Sequence, residues 1–172
     1  MGKDLKYVKT LGVHDYYEFI PSLTNLFYKD LEKLTLRKRI RFTLELFSSY
    51  KIFYMCEDNE IIGYCLVSRG GGFRFKFTSR EDIIVGPYYI IGSSRGQGKS
   101  KVLVQDVLNG LNLTYKNAYD YIRKDNIPSI KATENAGFKL LSNAKISKIL
   151  RRVELCESNN GDFLVYKYVN KT

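Results

Sequence analysis

The sequence has few of the residues that build metal centres and disulfide frameworks. It contains one histidine, three cysteines and no tryptophan among 172 residues. The cysteines, Cys56, Cys65 and Cys156, form no CxxC pair, and an odd, sparse set is a poor disulfide framework. His14 is far from every cysteine in sequence. We therefore expect neither disulfides nor a metal site.

Long apolar runs are also missing. No run reaches the length of a membrane span, and residues 1–6 lack the apolar core of a signal peptide. Lys6 stands where a myristoylation signal prefers serine or threonine. We therefore expect the protein to be cytoplasmic and to have no membrane partner.

Acidic residues are outnumbered, with 18 Asp and Glu against 28 Lys and Arg and a formal net charge of +10. The basic residues are spread along the chain, and no aromatic-rich RNA-binding signature accompanies them, so nucleic acid is the minor alternative. The charge suits a groove for an anionic ligand, such as a nucleotide or nucleotide-sugar, at least as well. The simplest explanation of the positive charge is that it keeps the protein soluble.

The first half of the chain predicts helices followed by a hairpin. A length of 172 residues predicts one domain, residues 1–172. Apolar residues at helical spacing over residues 15–50 predict one or two helices with a break near Leu34 and Thr35. Strands are expected at residues 51–55 and 61–68, with a turn at Asp58 and Asn59. Phe73, Phe75 and Phe77 then alternate as in a strand.

The second half predicts strands alternating with helices. Residues 82–91 indicate a buried central strand, which Gly86 and Pro87 should interrupt by a bulge or a pairing break. An amphipathic helix is expected over residues 101–113, and a second helix from the N-cap Asn126 to Gly137. Further strands are expected at residues 118–122, 149–155 and 163–169, and another begins at 138–141. This order predicts a mixed α/β sheet.

A Gly-rich turn, GSSRGQGKS at residues 92–100, lies between the central strand and the first of these helices. Backbone N–H groups at a helix N-terminus, beside glycines, suit a phosphate. The Gly98-Lys99-Ser100 ending resembles a P-loop, but five residues separate Gly92 from Gly98 where that motif has four. A P-loop also needs a second strand ending in aspartate for magnesium, and residues 118–122 do not end that way.

A second motif fits the turn better. Arg95-Gly96-Gln97-Gly98-Lys99-Ser100 matches Arg/Gln-x-x-Gly-x-Gly/Ala except at Ser100, and in the GNAT family of N-acetyltransferases this motif wraps the CoA pyrophosphate. Residues 126–138, NIPSIKATENAGF, closely resemble the later helix of that family, Asn-x-x-Ser-Ile through to Glu-x-x-Gly-Phe. Because the two motifs occur in the family's order, the sequence resembles GNAT proteins over about residues 82–141. More loosely, it is similar to small GNAT proteins of bacterial surface-polysaccharide gene clusters.

The resemblance implies a fold, a co-substrate and a binding site. The fold would be a mixed, mostly antiparallel sheet of about six or seven strands flanked by helices, with a helical acceptor-side region at 1–50 and an acetyl-CoA-binding core at 80–141. The co-substrate would be acetyl-CoA, without a metal, and Arg95 and Lys99 would add auxiliary positive charge. The implied cofactor-binding residues are Ile90, Ile91, Arg95, Gly96, Gln97, Gly98, Lys99, Ser100, Asn126 and Ser129.

The implied chemistry is direct attack of a neutral amine on the thioester. A backbone N–H near Ile90 or Ile91 would stabilise the oxyanion. The tyrosine with which the family often protonates the leaving thiolate aligns with Thr133, a much weaker acid. Other candidate acids are water and the tyrosines Tyr88, Tyr89, Tyr119 and Tyr121. Candidate bases are His14, Glu81, Asp82 and Asp120.

Four functions remain open at this point. The first is acetylation of a small amine, such as an amino-sugar or nucleotide-sugar in surface polysaccharide synthesis. The second is acetylation of a protein N-terminus or lysine, and the third is a non-catalytic CoA-binding regulatory module. The fourth is a P-loop protein that binds a nucleoside triphosphate. The acceptor is not evident from the sequence, and a homodimer is neither indicated nor excluded.

Overall fold

The structure is a computed structural model that describes residues 4–33, 35–147, 151–157 and 160–170. Its strands are β1 Lys6–Leu11, β2 His14–Phe19, β3 Lys51–Glu57, β4 Glu60–Arg69, β5 Ile83–Ile90, β6 Asn117–Arg123, β7 Lys139–Ile146, β8 Val153–Cys156 and β9 Phe163–Val169. Its α-helices are α1 Leu36–Glu45, α2 Lys99–Asn109 and α3 Ile127–Asn135, and short 3₁₀ helices span Leu46–Ser48 and Gly92–Ser94.

The strands of the described residues form one nine-stranded sheet in the order β1-β2-β3-β4-β5-β6-β9-β7-β8. This confirms a mixed α/β fold, with nine strands rather than six or seven. Chain contacts divide it into two compact units, one of residues 1–68 and 87–113 and the other of residues 69–86 and 114–172. No helix in the described part of the chain combines the length and the apolarity needed to cross a bilayer.

The two extra strands lie where helices were expected in the first unit, so that part of the prediction is wrong. β2 pairs antiparallel with both β1 and β3. Its residues His14 and Tyr16 are buried on one side of the strand, and aromatic side chains favour such a half-buried pleated surface. Phe27 is buried in the irregular segment that follows. The apolar residues of this segment are spaced like those on the buried face of a helix.

Helix α1 begins later than expected, with the Thr35 hydroxyl accepting from the Lys38 N–H at 3.3 Å as an N-cap. The predicted break near Thr35 is therefore present, while Leu34 lies outside the described residues. The β3–β4 hairpin is confirmed, and its turn residues Asp58 and Asn59 have φ of 49° and 65°. Two successive positive φ values are typical of a two-residue type I′ turn.

In the second unit, β6, β9, β7 and β8 pair antiparallel in that order. The strand predicted through Phe73, Phe75 and Phe77 is wrong, because these residues lie in successive turns. Phe75 is buried and its ring lies 5.3 Å from that of Tyr121. The alternating phenylalanines therefore belong to a folded loop and not to a strand. Residues 149 and 150 of the predicted 149–155 strand lie outside the described residues, and β8 starts at Val153.

Strand β5 carries the interruption that its Gly-Pro pair predicts. It pairs parallel with β6 at Ile83 and Ile84, and Gly86 follows with φ of 106°. Beyond this point, in the first unit, the Ile91 N–H donates to the Ile62 carbonyl at 2.9 Å. The bond ties the end of β5 to β4, where the Gly-rich turn begins.

Gly63, next to Ile62 on β4, allows this close approach, and Gly63→Ala tests it. An added Cβ would lie 2.7 Å from the Tyr89 carbonyl oxygen and 2.5 Å from Ile90 Cδ1. We expect the variant to lose about 1–3 kcal/mol in the free energy of unfolding, measured by urea denaturation, because backbone oxygen cannot move aside cheaply.

Gly92→Ala is the control, because an alanine Cβ there meets no atom within 4 Å. A Gly63→Ala variant as stable as the Gly92→Ala variant would show that the two strands are not in close contact at Gly63.

Candidate active site

The Gly-rich turn is an exposed backbone segment that leads from β5 into α2. Gly96 and Gly98 have φ of 78° and 72°, a region that residues with a Cβ enter only at a cost. The Gly98 carbonyl accepts from the N–H groups of Lys101 and Val102 at 3.0 and 3.3 Å. The N–H groups of Lys99 and Ser100 come before the first intrahelical bonds and point away from the helix.

The space around this backbone is open. An added Cβ on Gly96 or Gly98 would meet no atom within 4 Å, so both glycines are required by conformation rather than by crowding. Outward N–H groups at the start of an 11-residue helix, with room beside them, suit an anionic group such as a phosphate.

A P-loop would need a magnesium ligand on the strand that follows α2, and β6 offers none. Asp120 is the only acidic residue of β6, and it is buried and accepts from the Thr133 hydroxyl at 2.7 Å. Among the described residues, no group of three or more His, Cys, Asp or Glu is placed to hold a metal ion.

Arg95 folds back onto the strand that precedes the turn. Its Nε donates to the Ile90 carbonyl at 2.9 Å, and its guanidinium carbon lies 4.9 Å from the centre of the Tyr89 ring. The Tyr89 ring in turn stacks on Tyr64 at 6.1 Å. Tyr88 is half-buried on the same strand. Arg95 therefore fixes the start of the turn, in addition to the charge that it supplies there.

Lys99, which is expected to add auxiliary positive charge, is paired with a carboxylate in this structure. Its Nζ donates to Glu57 Oε2 at the end of β3, and His14 Nε2 lies 3.5 Å from Glu57 Oε1. The hydrogen bond from Lys99 lowers the pKa of Glu57, partial desolvation opposes this, and the charges of Lys99 and His14 add to the lowering. The carboxylate thus neutralises Lys99 next to the turn.

The two predicted oxyanion donors are not equivalent. The Ile91 N–H is bonded to the Ile62 carbonyl, and Ile90 is buried. The role of either N–H in stabilising an oxyanion stays a prediction.

The second motif forms the capped helix that its sequence predicts. The Asn126 side chain accepts from the Ser129 N–H at 3.4 Å, Pro128 lies in the first turn, and Gly137 follows the helix with φ of 101°. Asn126 is exposed and Ser129 half-buried. Their contact with a cofactor stays a prediction.

Thr133, which stands where the family often has an acidic tyrosine, is fully buried in the second unit. Its hydroxyl donates to Asp120 Oδ2 at 2.7 Å. Burial raises the pKa of Asp120 to about 7, although hydrogen bonds from Thr133 and the Tyr121 backbone partly offset the shift. Both side chains are committed to each other in the interior, so neither is placed to exchange a proton with a ligand.

The other candidate bases also have structural partners. Asp82 accepts from the backbone and side chains of Ser79 and Asn117 at 2.7 to 3.1 Å. Burial tends to raise its pKa, but these hydrogen bonds outweigh that effect and lower it. Glu81 is exposed, 3.8 Å from Lys116, and His14 is buried beside Glu57.

The tyrosines of β6 are packed as well. Tyr121 accepts from Arg74 at 3.1 Å, and Tyr119 meets the edge of Phe77, with ring centres 5.6 Å apart. Neither is presented as an open acid.

Sequence reasoning missed three residues that shape the turn: Glu57, Gly63 and Tyr64. Glu57 and Tyr64 contact Lys99 and Tyr89 across the fold, and no local spacing signals such partners. The Tyr64 hydroxyl also donates to Glu32 at 2.6 Å. Burial, and then this bond, raise the pKa of Tyr64, so the phenol is a buried donor.

Comparisons with known proteins bear on the fold. No protein-family model matches the chain, and no curated protein matches it. It is similar to a solved GNAT family acetyltransferase from Elizabethkingia anophelis with acetyl-CoA bound (TM-score 0.64, 16% identity, 90% of this chain and 98% of that chain). It is also similar to AAC(6')-Ib in complex with ribostamycin and coenzyme A (TM-score 0.58, 15% identity, 75% and 69%).

A third solved structure, the microcin C7 self-immunity acetyltransferase MccE with acetyl-CoA and AMP, is similar over 90% of this chain and 92% of its own (TM-score 0.54, 14% identity). At these identities the likeness establishes the fold. The chain has the fold of GNAT acetyltransferases, as its two motifs predict.

The buried Asp120 predicts a pH-dependent stability that Asp120→Asn should remove. The folded protein keeps this carboxyl protonated up to about pH 7, whereas the unfolded chain loses the proton near pH 4. The stability of the wild type relative to the variant should therefore be greatest below pH 4 and fall as pH rises to about 7, by up to about 4 kcal/mol.

Urea denaturation of both proteins between pH 4 and pH 8 measures the difference. A difference in the free energy of unfolding that stays constant over this range would show that Asp120 is ionised in the folded state.

Proposed function

We propose that the protein is an N-acetyltransferase that moves an acetyl group from acetyl-CoA to a primary amine. The observation that carries the proposal is the turn from Arg95 to Ser100, where Gly96 and Gly98 border open space and the N–H groups of Lys99 and Ser100 precede the first intrahelical bonds of α2. In a GNAT fold a turn with this motif holds the CoA pyrophosphate. The net charge of +10 is favourable for an anionic co-substrate.

The backbone of the turn is the main pyrophosphate ligand in this proposal. The N–H groups of Lys99 and Ser100 donate to phosphate oxygens, and Gly96, Gln97 and Gly98 let the phosphates approach closely. Arg95, whose position the Ile90 carbonyl fixes, adds charge beside them. Asn126 and Ser129 of the second motif are proposed as further contacts, on the strength of the sequence resemblance.

The reaction forms a C–N bond and breaks the C–S bond of the thioester. The neutral amine attacks the acetyl carbon, and the Ile90 N–H donates to the oxyanion of the tetrahedral intermediate. Collapse expels the CoA thiolate, which takes a proton, while the amine nitrogen loses one. With Thr133 bonded to Asp120, the remaining candidates for the acid are Tyr88, Tyr89 and water.

The two tyrosines face opposite sides of the sheet, because successive strand residues alternate. The Tyr89 ring lies against Tyr64 and Arg95. Both phenols are candidates for the acid, and each is tested by its own substitution.

The proposed acceptor is a small-molecule amine, with amino-sugars first. Among the structural relatives, AAC(6')-Ib was solved with ribostamycin and with kanamycin. In the first unit, an open pocket of about 290 Å³ is lined by residues that include Asn25, Asp30 and Arg39, and a carboxylate such as Asp30 attracts an ammonium group. A nucleotide-linked amino-sugar in bacterial, cytoplasmic surface-polysaccharide synthesis is the finer form of this proposal.

A second candidate function is a non-catalytic CoA-binding module. The burial of Thr133 at the position of the family's acid favours it, because the site then lacks one of the usual proton donors. Release of free thiol from acetyl-CoA in the presence of amino-sugars, polyamines or peptides distinguishes the two. An enzyme releases thiol with at least one class of amine, whereas a binding module binds acetyl-CoA and releases none.

Gly98→Ala tests the role of the turn. The substitution strains a backbone with φ of 72° and puts a methyl group into the space proposed for phosphate. We expect the KM for acetyl-CoA to rise about tenfold, equivalent to about 1.4 kcal/mol, with a smaller change in kcat.

Gly12→Ala is the matched control, because Gly12 also has positive φ, 61°, and open space around it, far along the chain. Equal KM values for the two variants would contradict a phosphate site at Gly98. So would stabilisation of the wild type against heat by ATP with magnesium but not by acetyl-CoA.

Tyr88→Phe and Tyr89→Phe test the acid. Loss of the phenol that donates a proton to the thiolate should lower kcat by about 100-fold with little change in KM, and loss of the other phenol should lower kcat less. Wild-type kcat in both variants would show that the thiolate takes its proton from another source.

A further inference from the structure

One carboxylate in the first unit is shared by two basic side chains. Glu57, at the end of β3, accepts a hydrogen bond from Lys99 on one oxygen. His14 Nε2, at the start of β2, lies 3.5 Å from the other oxygen. Lys99 is the first residue of α2. The arrangement thus joins the proposed phosphate-binding turn to the sheet beside it.

The three side chains differ in how far they are removed from water. The exposed fractions are 10% for His14, 14% for Lys99 and 28% for Glu57. His14 Nε2 is buried, and its separation of 3.5 Å from Glu57 Oε1 is long for a hydrogen bond. A buried ring nitrogen gains from a closer partner, so a small shift of the Glu57 carboxylate towards His14 is favourable.

The position of Lys99 makes it a natural phosphate ligand that is currently engaged elsewhere. An anion bound at the N–H groups of Lys99 and Ser100 lies within reach of the flexible Lys99 side chain. A diphosphate carries more negative charge than the single Glu57 carboxylate, so the ammonium group gains by transferring to it. Glu57 would otherwise be left unpaired, but His14 is already beside it.

We infer that Glu57 holds Lys99 away from the phosphate-binding turn, and that CoA binding transfers Lys99 from Glu57 to the diphosphate while His14 retains Glu57. The inference rests on the proposed function, since it needs a diphosphate at the turn. It makes Glu57 a positioning residue that weakens CoA binding, and His14 a residue that lessens this effect.

The alternative is that Glu57 is a structural anchor for the turn, and the two accounts predict opposite signs. Removal of an anchor loosens the turn and weakens CoA binding. Removal of a competitor releases Lys99 and tightens binding. Glu57→Gln keeps the size and the hydrogen-bonding shape of the side chain while removing its charge, so it separates the two accounts.

The experiment is isothermal titration of CoA into the wild type, Glu57→Gln, Lys99→Met and His14→Gln. We expect Glu57→Gln to bind CoA roughly three- to tenfold more tightly, and Lys99→Met to bind more weakly by a similar factor, the scale of one partly exposed charge interaction. His14→Gln should also bind more weakly, because Glu57 then depends on Lys99 alone.

Double variants give a sharper test than the single ones. In the Lys99→Met background, Glu57→Gln should no longer tighten binding, since no lysine remains to be released. In the Glu57→Gln background, His14→Gln should have no effect. Glu57→Asp keeps the charge on a shorter side chain, so its affinity for CoA should lie between those of the wild type and Glu57→Gln. It also controls for a folding defect in Glu57→Gln.

Two controls isolate the diphosphate. Acetylpantetheine lacks it, so Glu57→Gln should not change the binding of that compound. Glu154→Gln removes the carboxylate of an exposed pair, 3.6 Å from Lys145 in the second unit, and should leave CoA affinity unchanged.

The outcomes separate this inference from the proposed function. Weaker or unchanged CoA binding by Glu57→Gln, with a wild type that binds CoA, overturns the exchange and leaves the acetyltransferase proposal standing. Failure of the wild type to bind CoA or acetyl-CoA at all overturns both.

Discussion

The hydrogen bond from the Ile91 N–H to the Ile62 carbonyl determines where the Gly-rich turn begins. It ties the end of β5 to β4, where Gly63 has no side chain to push the strands apart. Arg95 then bonds back to the Ile90 carbonyl, so the chain is fixed on both sides of the point at which it leaves the sheet. The orientation of the N–H groups that follow depends on this anchoring.

The proposed phosphate site at the turn depends on backbone geometry more than on side-chain charge. Lys99 is neutralised by Glu57, and Arg95 is held against the Tyr89 ring and the end of β5. Open space borders Gly96 and Gly98, which both have positive φ, and the N–H groups of Lys99 and Ser100 follow without intrahelical partners. Such partial charges are fixed in place, so they require no reordering when an anion arrives. Side-chain charge can then adjust affinity without building the site.

Local chemistry explains which features were predictable from sequence. The Asn126 cap, the turn at Asp58 and Asn59 and the Gly-rich turn all depend on residues within a few positions of each other, and each is present. β2 was not predictable, because apolar residues spaced as in a helix over residues 15–50 fit equally well a strand followed by an irregular segment. The periodicity of apolar residues indicates which side chains are buried. It does not indicate whether a helix, a strand or an irregular segment carries them.

Site residues follow the same division. Gly96 and Gly98 could be identified because their role is a backbone conformation that only glycine adopts easily. Glu57 could not, since its importance comes from contacts with Lys99 and His14, 42 and 43 positions away along the chain. Asp120 and Asp82 were plausible bases from the sequence alone. In the structure both are buried and hydrogen-bonded to neighbouring residues, so their role is structural.

The Thr133–Asp120 pair limits the chemistry that this fold can perform. A threonine hydroxyl is too weak an acid to protonate a thiolate in any environment, and here it is also fully buried and donated to a carboxylate. A thiolate, however, is already a stable leaving group near neutral pH, because the pKa of an ordinary thiol is about 8.5. Formation of the tetrahedral intermediate needs stabilisation of the oxyanion, and its collapse needs removal of the amine proton, more than either step needs a strong acid. The backbone donor proposed at Ile90 would meet the first need, so a buried threonine at position 133 is compatible with the proposed acetyl transfer.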